Sequence, residues 1–215
     1  NFCFNYCITM AISIDGSNNT ISGLAVGGLP NGVVDTDMLA NNAVTPAKSS
    51  GFQRRISTSL TLPTDAGETI HNVTTGVKKI EIILSDVSSN SNSQLHIQVG
   101  DSGGIETTNY NHAMGFHRTG TSGQEAAVSN STGAFASYGL DAASYHIFGV
   151  WVLNNPHGNT WVSDFTVWGS AATNHQFYGT GYKTLSDTLT QFKFYVGGGN
   201  FDAGYLTIIE TMGDD

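Results

Sequence analysis

The strongest constraint on the fold is an alternation of apolar and polar residues that begins at Ile56 and recurs to the end of the chain. In the run VKKIEIILSDV, Ile80 and Ile82 share one parity, and Lys79 and Glu81 occupy the other. Because successive side chains of a β-strand point to opposite faces, a period of two predicts a strand with one buried face. Clusters of Gly, Asn, Asp and Ser separate these runs, as is typical of turns.

Repeats of the pattern predict about nine to eleven strands at the spacing of a β-sandwich. The run SYHIFGVWVLN is apolar at both parities, which predicts a central strand. Only 12% of residues are charged and 26 are glycine, a composition that disfavours long helices. We therefore predict an all-β fold, an antiparallel two-sheet β-sandwich of jelly-roll or lectin-like outline, over residues 52–215.

The same alternation assigns side chains to inward and outward faces. Those predicted to lie inward include Leu60, Leu62, Leu84, Leu95, Ile97, Val99, Trp161, Phe165, Val167, Phe192, Phe194 and Val196. Those predicted to lie outward include His96, Gln98, Asp164, Thr166, Trp168, Gln191, Lys193 and Tyr195.

Residues 10–51 differ in composition, with a Gly-Gly pair, two prolines and no aromatic residue. A segment of this kind buries too little apolar surface by itself to offset its ordering entropy. We predict an extended segment that is stable only when it packs against copies of itself, with a possible helical turn through Leu39 and a flexible linker as the alternative. Residues 1–9, NFCFNYCIT, precede Met10 and are interpreted as an upstream extension, with a short N-terminal strand as the alternative.

Net charge and hydropathy narrow the function classes. The formal net charge is −9, with 8 Lys and Arg residues, so a phosphate-binding surface for nucleic acid is not expected. No apolar run approaches the roughly 18 residues of a membrane span, so membrane insertion is not expected either. No cofactor is predicted.

The pentapeptide Gly100–Gly104, GDSGG, spells the surroundings of the nucleophile in chymotrypsin-like serine proteases. Acyl transfer by Ser102 would need a histidine base and a carboxylate that orients this base. The histidines that precede Ser102 are His71 and His96, and neither has the sequence context of that family. We therefore predict that the strand through Val99 simply ends in a glycine-rich turn.

The seven histidines and the acidic residues raise two further kinds of chemistry. No histidine pair has zinc-site spacing, although His112 and His117 share one Gly-rich stretch, so no metal is predicted. Paired carboxylates for glycoside hydrolysis remain an open alternative on spacing alone. We predict that the chain is not an enzyme.

A binding surface is the chemistry that we favour. Sugar recognition combines aromatic faces with Asn, Asp, Gln and His side chains that fix hydroxyl groups. Residues of these types are concentrated in three predicted loops, at 101–118, 154–159 and 169–182. The candidate ligand-binding residues are Asn109, Tyr110, His112, His157, Trp168 and Tyr178.

Three stretches resemble known proteins. The segment IDGSNNTISGLAVGGLPNGVVDTDMLANNAVTPAK, residues 14–48, resembles the N-terminal segments of tailed-bacteriophage tail-fibre and virion-appendage proteins. The stretches IQVGDSGGIETTNY and FDAGYLTIIE resemble the C-terminal β-sandwich domain of the same proteins. The chain departs from long tail fibres in lacking an extended shaft between the two parts.

The resemblance implies a virion structural protein, usually a homotrimer, that attaches to other virion proteins through residues 10–51. It also implies a C-terminal head that recognises a glycan or protein on the host surface, in a particle assembled in the host cytoplasm. Alternatives are a capsid-decorating or tail-scaffold protein with structural contacts only, and a polysaccharide depolymerase.

Overall fold

A computed structural model gives the fold. It describes residues 13–15, 17, 20–22, 55–118, 133–140, 145–170 and 175–213. The chain divides into two units, Asn1–Ser49 and Ser50–Asp215, each of which is described by itself. The sequence placed this boundary after residue 51.

In the first unit the described residues form a short antiparallel hairpin. Strand β1 (Ser13–Asp15) pairs with β2 (Thr20–Ser22), with Ser13 opposite Ser22. The sequence analysis did not predict this hairpin. The helical turn proposed through Leu39 lies outside the described residues.

The second unit is all-β where it is described, in agreement with the predicted fold class. Its strands are β3 (Arg55–Thr61), β4 (Glu68–Asn72), β5 (Val77–Ser89), β6 (Ser93–Asp101), β7 (Gly104–Ile105), β8 (Asn111–Arg118), β9 (Phe135–Leu140), β10 (His146–His157), β11 (Thr160–Ser170), β12 (His175–Thr184), β13 (Gln191–Val196) and β14 (Phe201–Met212). No helix in the described ranges is long and apolar enough to cross a membrane.

The strands form two antiparallel sheets that face each other across one core. A seven-stranded sheet has the order β3-β14-β5-β10-β11-β12-β8. A five-stranded sheet has the order β4-β13-β6-β7, with β9 paired to β6. This is the predicted antiparallel two-sheet β-sandwich.

The core lies between the inner faces of the two sheets. Trp151 is fully buried, donates its indole N–H to Ser163 Oγ at 2.7 Å, and packs against Phe165 with ring centroids 4.5 Å apart. Phe194 and Phe201 stack at 5.7 Å. Burial of each such side chain contributes on the order of 2–3 kcal/mol, so these rings anchor the packing of the sheets.

Most of the predicted faces are confirmed. Ile80, Ile82 and Leu84 lie in the core, as predicted from their shared parity. Asp164, Thr166 and Trp168 point outward from β11. The inward assignments listed above hold except for Leu60, which is only half-buried.

Two assignments to faces need correction. Gln98 is buried rather than exposed, and its side-chain amide donates to the Gly133 carbonyl at 2.8 Å. Strand β10 is central, as predicted, but the described part of the chain does not cover its second apolar face. Phe148 and Val150 on that face are 40% and 38% exposed.

All three predicted loops are largely strand, and residues 154–157 of the shortest one belong to β10. The stretch 101–118 contains β8, and 169–182 contains most of β12; these strands pair with each other along eight positions, from Asn111 opposite Tyr182 to Arg118 opposite His175. Their Gly, His and Asn content is typical of loops. A Cβ on Gly179 would lie 2.6 Å from Phe165 Cε1, so the glycine is required by the neighbouring ring rather than by a turn. The weaker strand candidate at 125–128 lies outside the described residues.

Candidate functional site: a furrow on the outer face of the large sheet

The Gly100–Gly104 pentapeptide forms a hairpin turn, as predicted. Strand β6 ends at Asp101, β7 begins at Gly104, and these two residues are paired. One Asp101 carboxylate oxygen accepts the Gly103 N–H at 2.8 Å, and the other accepts the Ser186 hydroxyl at 2.5 Å. The carboxylate thus binds turn residues rather than a histidine, and Ser102 is an exposed turn residue.

The outward side chains of the seven-stranded sheet are aligned in rows by the strand register. One row runs across β10, β11, β12 and β8 through Val150, Thr166, Tyr178 and Gly115. The next row runs through Val152, Asp164, Thr180 and Ala113. The outer face therefore carries a mixed set of aliphatic, hydroxyl, aromatic and acidic groups at fixed spacing.

These two rows line a cavity of about 610 Å³. Strand β8 contributes only Ala113 and Gly115 to the outer face of the cavity. A Cβ on Gly115 would lie 2.7 Å from Tyr178 Oη, so the tyrosine ring lies directly over the glycine. The ring is also flanked by His117, with centroids 5.7 Å apart. Small residues on one strand and a fixed ring on the next thus make this part of the face concave.

A second cavity of about 420 Å³ continues along β11, β12 and β8. It is lined by Asn111, His112, Val162, Thr180, Gly181 and Tyr182. Thr180 lines both cavities. We call the two cavities together the furrow.

The furrow carries one acidic group. Asp164 is exposed and forms no ion pair within the described part of the chain. The nearest other charges on the same face, Lys79 and Glu81 of β5 and Arg55 of β3, pair with one another at 2.8–3.1 Å. The Asp164 carboxylate is therefore available to accept hydrogen bonds from a bound molecule.

Three of the six predicted site residues lie on or beside the furrow. Tyr178 lines the first cavity and His112 lines the second, although the His112 side chain is mostly buried. Trp168 is 41% exposed and lies opposite Gln176, one row beyond Thr166. These residues come from different strands, so only the sheet brings them together.

The other three predicted residues lie elsewhere. Asn109 is an exposed turn residue with φ of 61°, and His157 is exposed at the end of β10; neither lines the furrow. The prediction for Tyr110 as a ligand contact is wrong, because its ring is in the core. Its hydroxyl accepts the Val99 N–H and donates to the Glu106 carbonyl, both at 2.8 Å.

The sequence analysis missed several residues that shape the furrow. Asp164 and Thr166 were predicted to point outward, but their role was not recognised because β12 had been assigned as a loop. Thr180, Ala113 and Gly115 carry no signal that would identify them without the register of β8 on β12.

A pair of charged side chains, Lys183 and Glu106, lies close to the Gly100–Gly104 turn. Lys183 is 2% exposed, forms an ion pair with Glu106 and donates to the Thr184 carbonyl at 3.0 Å. Burial raises the pKa of the Glu106 carboxyl, but hydrogen bonds from Lys183 and Ser186 outweigh burial and hold this pKa below its ordinary value. These contacts connect the β6–β7 hairpin to the end of β12 and give each of the two charges a partner.

The outer face of the five-stranded sheet is also occupied by internal pairs. His96 stacks on Tyr195 with centroids 4.7 Å apart, and Lys193 Nζ lies 4.6 Å from the centre of the same ring. Glu68 pairs with Lys193 at 3.3 Å. Burial lowers the pKa of His96 to about 4, so the imidazole is neutral at physiological pH.

Comparisons with known proteins add no information about the site. Neither the family models, nor the curated proteins, nor the solved structures give a match to this chain. Among the described residues, no three His, Cys, Asp or Glu side chains come together to hold a metal ion.

Proposed function

We propose that the chain is a bacteriophage virion appendage protein whose β-sandwich binds a carbohydrate on the host surface through the furrow. The observation that carries the proposal is the furrow itself, where aliphatic, aromatic, hydroxyl and acidic side chains surround a cavity of about 610 Å³. Its size falls in the range of ligand sites. The resemblance of residues 14–48 to phage fibre proteins supports the setting on the virion.

The chemistry of the furrow suits a sugar. The Tyr178 ring and the Trp168 indole offer flat apolar surfaces to the C–H face of a pyranose. Asp164, Thr166 and Thr180 offer carboxylate and hydroxyl oxygens for the equatorial hydroxyl groups. A strand surface that makes only structural contacts does not need this combination of aromatic, carboxylate and hydroxyl groups.

The partners follow from the same proposal. Residues 10–51 attach the chain to other virion proteins and assemble it as a homotrimer. Three linked heads would convert weak binding at each furrow into strong attachment to a surface that carries many copies of the glycan. Binding is non-covalent, and the protein acts as a ligand of the host rather than as an enzyme.

One observation favours a second candidate, a capsid-decorating or tail-scaffold protein with protein contacts only. Ile83, Phe148 and Tyr205 on the outer face of the same sheet are 38%, 40% and 54% exposed. They lie outside the residues that line the furrow. Apolar groups gathered on one face commonly mark an interface with another protein.

A glycan array probed with the wild-type protein and two variants tests the proposal. Ala113→Trp places an indole in the first cavity and is expected to abolish every array signal. Ser59→Trp adds the same side chain at an exposed position of the same face, on edge strand β3, and is expected to leave the signals unchanged. Host capsular polysaccharide that is shortened by the wild-type protein would instead indicate a depolymerase.

The array also has an outcome that contradicts the proposal. If neither the array nor intact host cells retain the wild-type protein, receptor binding fails and the second candidate stands. If Ala113→Trp binds as well as the wild type, the glycan binds at a place other than the furrow.

A further inference from the structure

We infer that the furrow binds an internal stretch of an unbranched glycan chain that is neutral or basic, rather than a single terminal sugar or an acidic polymer. The inference rests on the proposed function and specifies the ligand class of the same site. Three features of the furrow carry it: its length, the placement of its aromatic rings, and its charge.

The furrow is longer than one sugar ring. Along β11 the residues that line it run from Val162 to Thr166, and along β12 from Tyr178 to Tyr182. Four residues of extended strand span about 13 Å. Thr180 lines both cavities, so the two adjoin along this direction and can hold more than one sugar unit in a row.

Aromatic rings lie toward both ends of this length. Tyr178 lines the first cavity, with Trp168 one row beyond it. Tyr182 lines the second cavity and is 51% exposed. The Cα atoms of Tyr178 and Tyr182 are about 13 Å apart along the strand, so one monosaccharide cannot stack on both rings.

The charge of the furrow selects against acidic sugars. Asp164 lies between the two ends, on β11 opposite Thr180. The basic residues of the same face, Arg55 and Lys79, pair with Glu81 and line neither cavity. A uronate placed along the furrow would therefore meet an uncompensated carboxylate, whereas a hydroxyl or an ammonium group would bind to it.

Calorimetric titrations with three ladders of β-1,4-linked oligomers test the inference. Glucose oligomers are neutral, glucosamine oligomers are basic, and glucuronate oligomers are acidic. The affinity for the neutral and basic ladders is expected to rise at least tenfold from the monomer to the longest oligomer. The glucuronate ladder is expected to bind at least about fivefold more weakly at each length.

Two variants connect these results to the furrow. Tyr182→Ala should lower the affinity for long oligomers and leave short ones unaffected, because only a long chain reaches the second cavity. Asp164→Asn should remove most of the penalty against glucuronate. Asp65→Asn makes the same change in net charge at an exposed turn residue between β3 and β4 and should leave the penalty in place.

The failure of the inference can be told from the failure of the proposed function. An affinity that is the same for monomer and long oligomer, or tightest for glucuronate, overturns the inference while glycan binding stands. If none of the three oligomer series binds and the glycan array also gives no signal, both the inference and the proposed function are wrong.

Discussion

The outer faces of the two sheets use similar residue types in opposite ways. On the five-stranded sheet, the outward polar and aromatic groups bind one another: Lys193 pairs with Glu68 and covers Tyr195, and Tyr195 stacks on His96. On the seven-stranded sheet, Asp164 has no ion-pair partner in the described ranges, and aromatic and aliphatic groups remain exposed. The first surface is occupied by its own contacts, and the second is free to take a ligand.

The comparison teaches that residue type alone does not identify a binding surface. A tyrosine flanked by a histidine occurs on both faces, as Tyr195 with His96 and as Tyr178 with His117. What differs is the neighbouring strand, since β8 places only Ala113 and Gly115 opposite Thr180 and Tyr178. We therefore expect substitutions on the small-sheet side to change stability, and substitutions in the furrow to change binding.

The largest expected effect comes from the same chemical change at two carboxylates. Glu106→Gln leaves the buried Lys183 without its ion-pair partner and should lower the free energy of unfolding by about 3 kcal/mol. Asp164→Asn should change it by less than about 0.5 kcal/mol, because this carboxylate is exposed and forms no ion pair. Urea denaturation of the two variants measures both values, and equal losses would contradict the distinction.

The next effect is a dependence of stability on pH. The pKa of His96 is about 4 in the folded chain and near 6.5 when unfolded, so the unfolded state binds the extra proton between these values. The stability that neutral His96 provides is complete above about pH 6.5 and is lost as the pH falls toward 4, by about 3 kcal/mol in total. Chemical denaturation of the wild type and His96→Gln across this pH range isolates the contribution of His96. If the free energy of unfolding falls equally with pH in both proteins, His96 is not the cause.

A smaller pair of effects separates the two tyrosines. Tyr195→Ala removes a ring held between His96 and Lys193 and should cost about 1–2 kcal/mol of stability with no change in glycan affinity. Tyr178→Ala should cost less stability but weaken glycan binding about tenfold. Thermal melts and calorimetric titrations of both variants provide the four values, and a loss of binding in Tyr195→Ala would reverse the assignment of the faces.

The smallest effect on stability is expected at Phe148. It is 40% exposed, so Phe148→Thr should change the free energy of unfolding by about 0.5 kcal/mol or less. If the apolar part of the outer face contacts another subunit, the same change should lower the oligomer mass measured by light scattering. An unchanged mass would remove this residue from any subunit interface.

Much of the fold could be predicted because strands such as β11 and β13 show the period of two directly in their sequence. Each buries one parity, and its neighbours add nothing that changes the pattern. The sequence analysis did not predict β8 and β12 because Gly115, Gly179 and Gly181 give these strands a composition that is typical of loops. Their glycines are required by rings and backbone on adjacent strands, and that information is not local in the sequence.

The site was only partly predictable for the same reason. Trp168 and Tyr178 could be proposed from residue type, since exposed aromatics are common sugar contacts. The burial of Tyr110 could not be foreseen, because it depends on hydrogen bonds of its hydroxyl with the Val99 N–H, which donates, and the Glu106 carbonyl, which accepts. The furrow arises from the register of four strands, which no single stretch of sequence contains.

Hydrogen–deuterium exchange with a bound glycan oligomer tests the central claim most directly, because it compares the two outer faces in one experiment. The account predicts that a saturating oligomer slows exchange in β8, β11 and β12, and leaves β4 and β13 unchanged. Slower exchange in Glu68–Asn72 and Gln191–Val196, with β11 and β12 unaffected, would contradict it.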